Sequence, residues 1–113
     1  MQALQLMNDI QHVEAARNLA QRIIKEGGAK DEERIPWAWR TVTSRQPGPD
    51  DAKIVTDVLK GHRARYAKDA EAAQKLITYG ESVPDKEISP NELASWTLVA
   101  NLLLNLDEVV NKN

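Results

Sequence analysis

Few side chains in this chain could carry chemistry. His12 and His62 are its two histidines, and an imidazole serves as a general base, or as a metal ligand once further donors converge on it. Neither has the His-x-x-Glu or Glu-x-x-His spacing that would bring a carboxylate from the next helical turn. Asp107-Glu108 is a carboxylate pair in sequence only, because adjacent helical residues diverge by about 100° and cannot flank one bond. Arg34, Arg40, Arg45, Arg63 and Arg65 could hold phosphate, yet acids stand close to each group, so ion pairs and solvated faces are expected. No Gly-x-Ser-x-Gly elbow, phosphate loop or calcium loop occurs. Cysteine is absent, which excludes thiol catalysis, disulfides, cysteine-ligated metal and covalent haem attachment. The expectation is a domain with no catalytic residue, no cofactor and no metal site of its own.

Bulk properties agree. At 113 residues, 42% apolar and 28% charged, the chain can bury one real core. Fifteen basic and seventeen acidic residues are intermixed, for a net charge of −2, so no field steers nucleic acid or an anionic membrane toward it. Residues 1–7 hold no basic leader and no long apolar run, and no signal peptide is expected there. The longest uncharged apolar window, 93–106, is short for a membrane span and contains Asn101 and Asn105. A soluble piece is expected.

The elements that would position these residues read as helices. Asn8 or Asp9 can cap a first helix reaching about Glu26, with Ile10, Val13, Ala16, Ala20 and Ile23 on one face and Gly27-Gly28 to end it. Asp31-Glu32-Glu33 opens a second, whose stripe is Ile35, Ala38, Trp39 and Val42; Pro36 could delay its first regular turn. Gln46-Pro47-Gly48-Pro49-Asp50-Asp51 breaks the chain before a third helix with Ile54, Val55, Val58, Leu59, His62 and Tyr66 on one side. Asp69 can cap a short fourth helix, with Ala73, Leu76 and Ile77 inward and Gly80 closing it, and 81–88 links to the last.

That last helix dominates the reading. Ser89, Pro90 and Glu92 compose a capping-box start. Leu93, Trp96, Leu98, Val99, Leu102, Leu103, Leu106, Val109 and Val110 then occupy most of the circumference, leaving a narrow stripe of Thr97, Asn101, Asn105 and Glu108. A helix apolar nearly all round is a core helix. The stripe is either its solvent strip or an internal network in which Asp107 or Glu108 pairs with Arg40 or Arg45. Trp37 points about 200° away from Trp39, so the two indoles cannot share one core. Trp37 is thus either an interface residue or packed under Lys30–Glu33.

Several segments carry a resemblance. Ala3-Leu4-Gln5-Leu6-Met7-Asn8-Asp9 with Val13-Glu14-Ala15-Ala16-Arg17, Trp37-Ala38-Trp39-Arg40 with Ser44-Arg45-Gln46-Pro47, Tyr79-Gly80-Glu81-Ser82, and Glu92-Leu93-Ala94-Ser95-Trp96-Thr97 through Asn101-Leu102-Leu103-Leu104-Asn105-Leu106-Asp107-Glu108 stand in order. Together they resemble the planctomycete-type C-terminal domain of unknown function fifteen fifty-three, also called PSD-one. Two places depart from its pattern: His12 replaces an aromatic residue, and Pro47-Gly48-Pro49-Asp50-Asp51 replaces a threonine-capped turn. The resemblance implies the end of a large exported bacterial protein that often carries a cytochrome-c-like domain, and it brings no catalytic residues.

The resulting expectation is all-α: residues 1–113 as one bundle of about five helices around the C-terminal helix, the C-terminal part of a longer protein. Its expected role is a non-catalytic structural or interaction module docking upstream domains or a protein partner, without nucleic acid or membrane insertion. The alternative is an accessory part of an enzyme or redox protein whose active site lies upstream.

Overall fold

The computed structural model describes residues 10–80 and 83–111, with side-chain surroundings for 11–80 and 83–106. Among these are five helices and no strand: α1 (Ile10–Glu26), α2 (Asp31–Thr43), α3 (Pro49–Lys68), α4 (Ala70–Ile77) and α5 (Pro90–Asn111). The all-α bundle around the last helix is confirmed.

α5 is the axis. It touches all four other helices, and Leu93, Ala94, Ser95, Trp96, Thr97, Val99, Ala100 and Leu103 are buried around most of its girth. Against it lie Ala16, Ala20 and Ile23 of α1, Ile35, Ala38 and Trp39 of α2, Val55, Leu59 and Tyr66 of α3, and Ala73 and Ile77 of α4. These are the stripes that the 3.6-residue period predicts, since only such spacing keeps apolar groups on one side of a helix.

The polar stripe of α5 is internal over its first half: Thr97 is 1% and Asn101 7% exposed. Thr97 stays satisfied by donating its hydroxyl to the Leu93 carbonyl one turn earlier (2.6 Å).

Four expectations are corrected. Ile54 is 57% exposed, because Val55, Leu59 and Tyr66 set the buried face of α3 and Ile54 lies about 100° off it. Leu106 is 39% exposed and Leu102 only half-buried, since the neighbours that enclose the first half of α5 no longer cover all of its second half. Pro36 does not delay α2, which starts at Asp31 and runs through it; the carbonyl deprived of a partner is that of exposed Glu32. Glu92 is not spent on a capping box, as both its carboxylate oxygens accept from Arg63.

Turn chemistry sets the remaining ends. Gly28 adopts φ 118°, and Glu33 Oε1 accepts from the backbone N–H of Ala29 (2.9 Å) and Lys30 (3.2 Å) to start α2. Asp51 reaches back to the Gly48 N–H (2.9 Å), and Asp69 Oδ1 accepts from the Ala72 N–H (3.1 Å) at the head of α4.

Leu103 is 1% exposed at the centre of this core. Leu103→Ala should therefore cost about 2–5 kcal/mol, measured by denaturant unfolding. A loss below about 1 kcal/mol would show that α5 is not the central helix.

Candidate functional site

Charged side chains in the interior work on helix ends. Arg17 of α1 is completely buried, and its Nη1 donates to the carbonyls of Ile77 (2.6 Å) and Tyr79 (3.3 Å) where α4 ends. Those carbonyls lack intrahelical partners and carry the negative end of the helix dipole, so a guanidinium there supplies both donors and charge. Glu14 Oε2 lies 3.9 Å from Arg17 Nη2. Beside them Gly80 takes φ 96°, and a Cβ on it would stand 2.7 Å from the Glu14 carboxylate. Arg34 does for α1 what Arg17 does for α4: Nη2 donates to Ile24 O (3.0 Å) and Nε to Gly28 O (2.9 Å).

Arg63 of α3 is clamped from two sides. Its Nη1 and Nη2 donate to Asp31 at 2.6 and 2.9 Å, while Nε and Nη2 donate to Glu92, both at 2.8 Å. Each carboxylate sits in the first turn of its helix, α2 or α5, so the fork ties two helix N-termini to one cation. Arg63 holds the Asp31 carboxyl below its ordinary range, and the two acids push the guanidinium further up. Lys25 pairs with Asp85, whose N–H donates to Gln21 Oε1 (2.9 Å), fastening the 83–89 segment to α1.

The side chains expected to matter for function are scattered. Trp37 is half-buried and packs against the same core cluster that contains Trp39, which corrects the expectation that the two indoles cannot share one core; the Arg22 guanidinium lies 5.5 Å from its ring centroid. It lines a shallow surface hollow with Arg40 and Thr41. Arg40 Nε donates weakly to Pro36 O (3.3 Å), and Arg45 is exposed. The side chains of Asp107 and Glu108, their expected partners, lie outside the described residues.

The structure does bring one set together. A cleft of about 380 Å³ opens between α3 and α5, lined by Val58, His62, Arg65, Leu98, Asn101, Leu102 and Asn105. Its walls are mainly apolar. Buried Oδ1 atoms of Asn101 and Asn105 have no hydrogen-bond partner among the described residues. Partial burial, with Arg65 adding a like charge, holds the His62 pKa below its ordinary value, so the imidazole is neutral at neutral pH. Chemically, the cleft can seat an apolar group and offer amide hydrogen bonds; among the described residues, the one charged side chain on its wall is a cation. Among the described residues, no group of three or more His, Asp or Glu could hold a metal ion.

This geometry assembles motifs that are far apart in sequence. Val13-Glu14-Ala15-Ala16-Arg17 meets Tyr79-Gly80 through the Arg17 contact, and Glu92 at the head of the α5 motif meets Asp31 through Arg63. The family model described as PSD1, protein of unknown function (DUF1553), matches residues 1–59. The chain belongs to this family. No curated protein and no solved structure matches it. In this DUF1553 chain, the buried arginine of the first motif is a structural latch on α4. Glu81 and Ser82, which complete the Tyr79-Gly80 motif, lie outside the described residues.

Gly80→Ala should destabilise by at least about 1 kcal/mol, because the positive φ disfavours a Cβ and Glu14 occupies its space. Thermal melts read this directly, and an unchanged melting temperature would contradict the packed latch. A second expectation concerns pH. With its folded pKa depressed, Asp31 contributes stability above the ordinary carboxylate range and loses it as pH falls through the folded value. Asp31→Asn should therefore melt below the parent at neutral pH, and the gap should narrow as pH falls below the ordinary carboxylate range. A gap constant with pH would mean that the Arg63 pairing contributes nothing.

Proposed function

We propose that this DUF1553 domain is a non-catalytic helical module that docks other parts of an exported multidomain protein, or a protein partner. The supporting observation is how its charges are deployed. Arg17, Arg34 and Arg63, with Glu14, Asp31, Glu33 and Glu92, are committed to helix ends, while the surface also presents large apolar and aromatic groups: half-buried Trp37, exposed Ile54 and Leu106, and the α3/α5 cleft. Large apolar and aromatic groups at a surface, flanked by arginine, are the ingredients of protein contacts. Export rests on the family resemblance; among the described residues no helix is long and apolar enough to cross a membrane.

The cleft favours a second reading, in which this domain forms an accessory wall of an active site built elsewhere in a larger protein. A neutral His62 beside two asparagine amides could position a substrate there. His62→Gln would then lower the larger protein's turnover while leaving domain docking unchanged.

Trp37 tests the docking reading. Half-burial limits the stability cost of Trp37→Ala to about 1–2 kcal/mol. Binding of the folded variant to the preceding domains, supplied as a separate polypeptide, should weaken by at least about 1 kcal/mol in calorimetry. Equal affinity for parent and variant would remove Trp37 from the contact, and no association of the parent would reject docking to those domains.

A further inference from the structure

The solvent-facing side of α3 carries a feature that nothing in the fold requires. Gly61 lies in the middle of this long helix, is exposed, and a Cβ built on it meets nothing within 4 Å. Glycine at an open mid-helix position sacrifices stability relative to alanine, and no turn, positive φ or close neighbour explains it here. What a bare helix surface permits is the close approach of another backbone.

The residues around Gly61 say what could approach. At 100° per residue, Ile54, Val58, Gly61 and Arg65 fall within about 60° of one another, and Asp50 and Lys68 lie about 20° beyond Gly61. This strip begins with an acid, has Ile54, Val58 and bare Gly61 along its middle with exposed Asp57 about 40° to the other side of Gly61 from Val58, and ends in two cations. Ile54 is exposed, Val58 half-buried, and Arg65 and Lys68 are exposed with no carboxylate within ion-pair distance among the described residues. Half-buried Leu102 of α5, which lines the same cleft as Val58 and Arg65, forms the adjoining shoulder.

A strip with acid at one end and base at the other complements a reversed copy of itself. Set antiparallel with the two-fold axis between positions 59 and 60, Val58 of each copy meets Gly61 of the other. Ile54 meets the methylene stem of Arg65, and Asp50 meets Lys68, over a contact about 27 Å long. A two-fold axis through the strip makes every such contact occur twice, which is the geometry of an isologous dimer. We propose that the α3 face centred on Gly61 is a self-association surface, and that its occupant is α3 of a second copy of this chain. This goes beyond the docking reading, with which it shares Ile54 and the rim of the α3/α5 cleft but not Trp37, so its failure leaves the Trp37 contact standing.

The test is sedimentation equilibrium of the chain from micromolar to millimolar concentration, with far-UV circular dichroism to follow the fold of each variant. The parent should show a monomer–dimer equilibrium. Gly61→Ala should melt at a higher temperature yet dimerise about tenfold more weakly, because the added methyl groups separate the two helices. Asp50→Lys and Lys68→Asp should each weaken the dimer by about fivefold or more, since each substitution enters twice. The double variant D50K/K68D should return to within about twofold of the parent, because the reversed charges again face each other. A parent that stays monomeric throughout would overturn the proposal and leave the Trp37 docking reading untouched. It would also be overturned by a dimer insensitive to Gly61→Ala, or by a double variant as weak as the single ones.

Discussion

Burying α5 is the constraint on which the structure depends. From Leu93 to Ala100 nearly every side chain of this helix is enclosed, Trp96 and Thr97 included, so no single face can be left to water. A helix of this kind cannot be covered by one partner. It needs neighbours on several sides, and the other four helices supply them. The chain order makes this demanding, because α5 comes last and its site must be assembled from elements that precede it.

Helices arranged around a core leave unpaired backbone groups at their ends, and this family member answers with arginine. Arg17 covers the end of α4 and Arg34 the end of α1, in both cases by donating to carbonyls that helical geometry leaves free. Arg63 performs the opposite service at two N-termini by gathering the acids that sit there. Arginine suits both tasks because its planar fork offers several donors at fixed angles and stays charged when buried. These contacts bridge wide separations in sequence, Arg17 to Ile77 and Arg63 to Asp31 and Glu92 among them, so they add long-range order to a fold otherwise built on local helices.

Much of this was legible in the residues. Periodicity located all five helices, and Gly28, Asp69 and Gly80 punctuated them as their backbone preferences require. The error at Ile54 came from reading α3 as wider on its apolar side than its neighbours could cover. Arg17 stands four residues after Val13 and three before Ala20, on the buried face of α1; an arginine inside an apolar stripe is itself a signal of a buried cap. The partners of Arg63 were not legible, since three carboxylates follow Lys30 and only the mutual placement of α2, α3 and α5 selects Asp31. The α3/α5 cleft likewise exists only once α3 and α5 are placed side by side.

The central claim is that arginine-tied helix ends and an enclosed α5 make one cooperative unit. Native-state hydrogen exchange over a denaturant series measures this most directly. The account predicts that the amides closing α4 at Ile77 and Thr78, those of α1 around Ala20, and those of α5 from Val99 to Leu103 all exchange with the free energy of global unfolding. If α4 opened at a much lower free energy while α1 and α5 stayed protected, the Arg17 latch would not join it to the core, and the account would be contradicted.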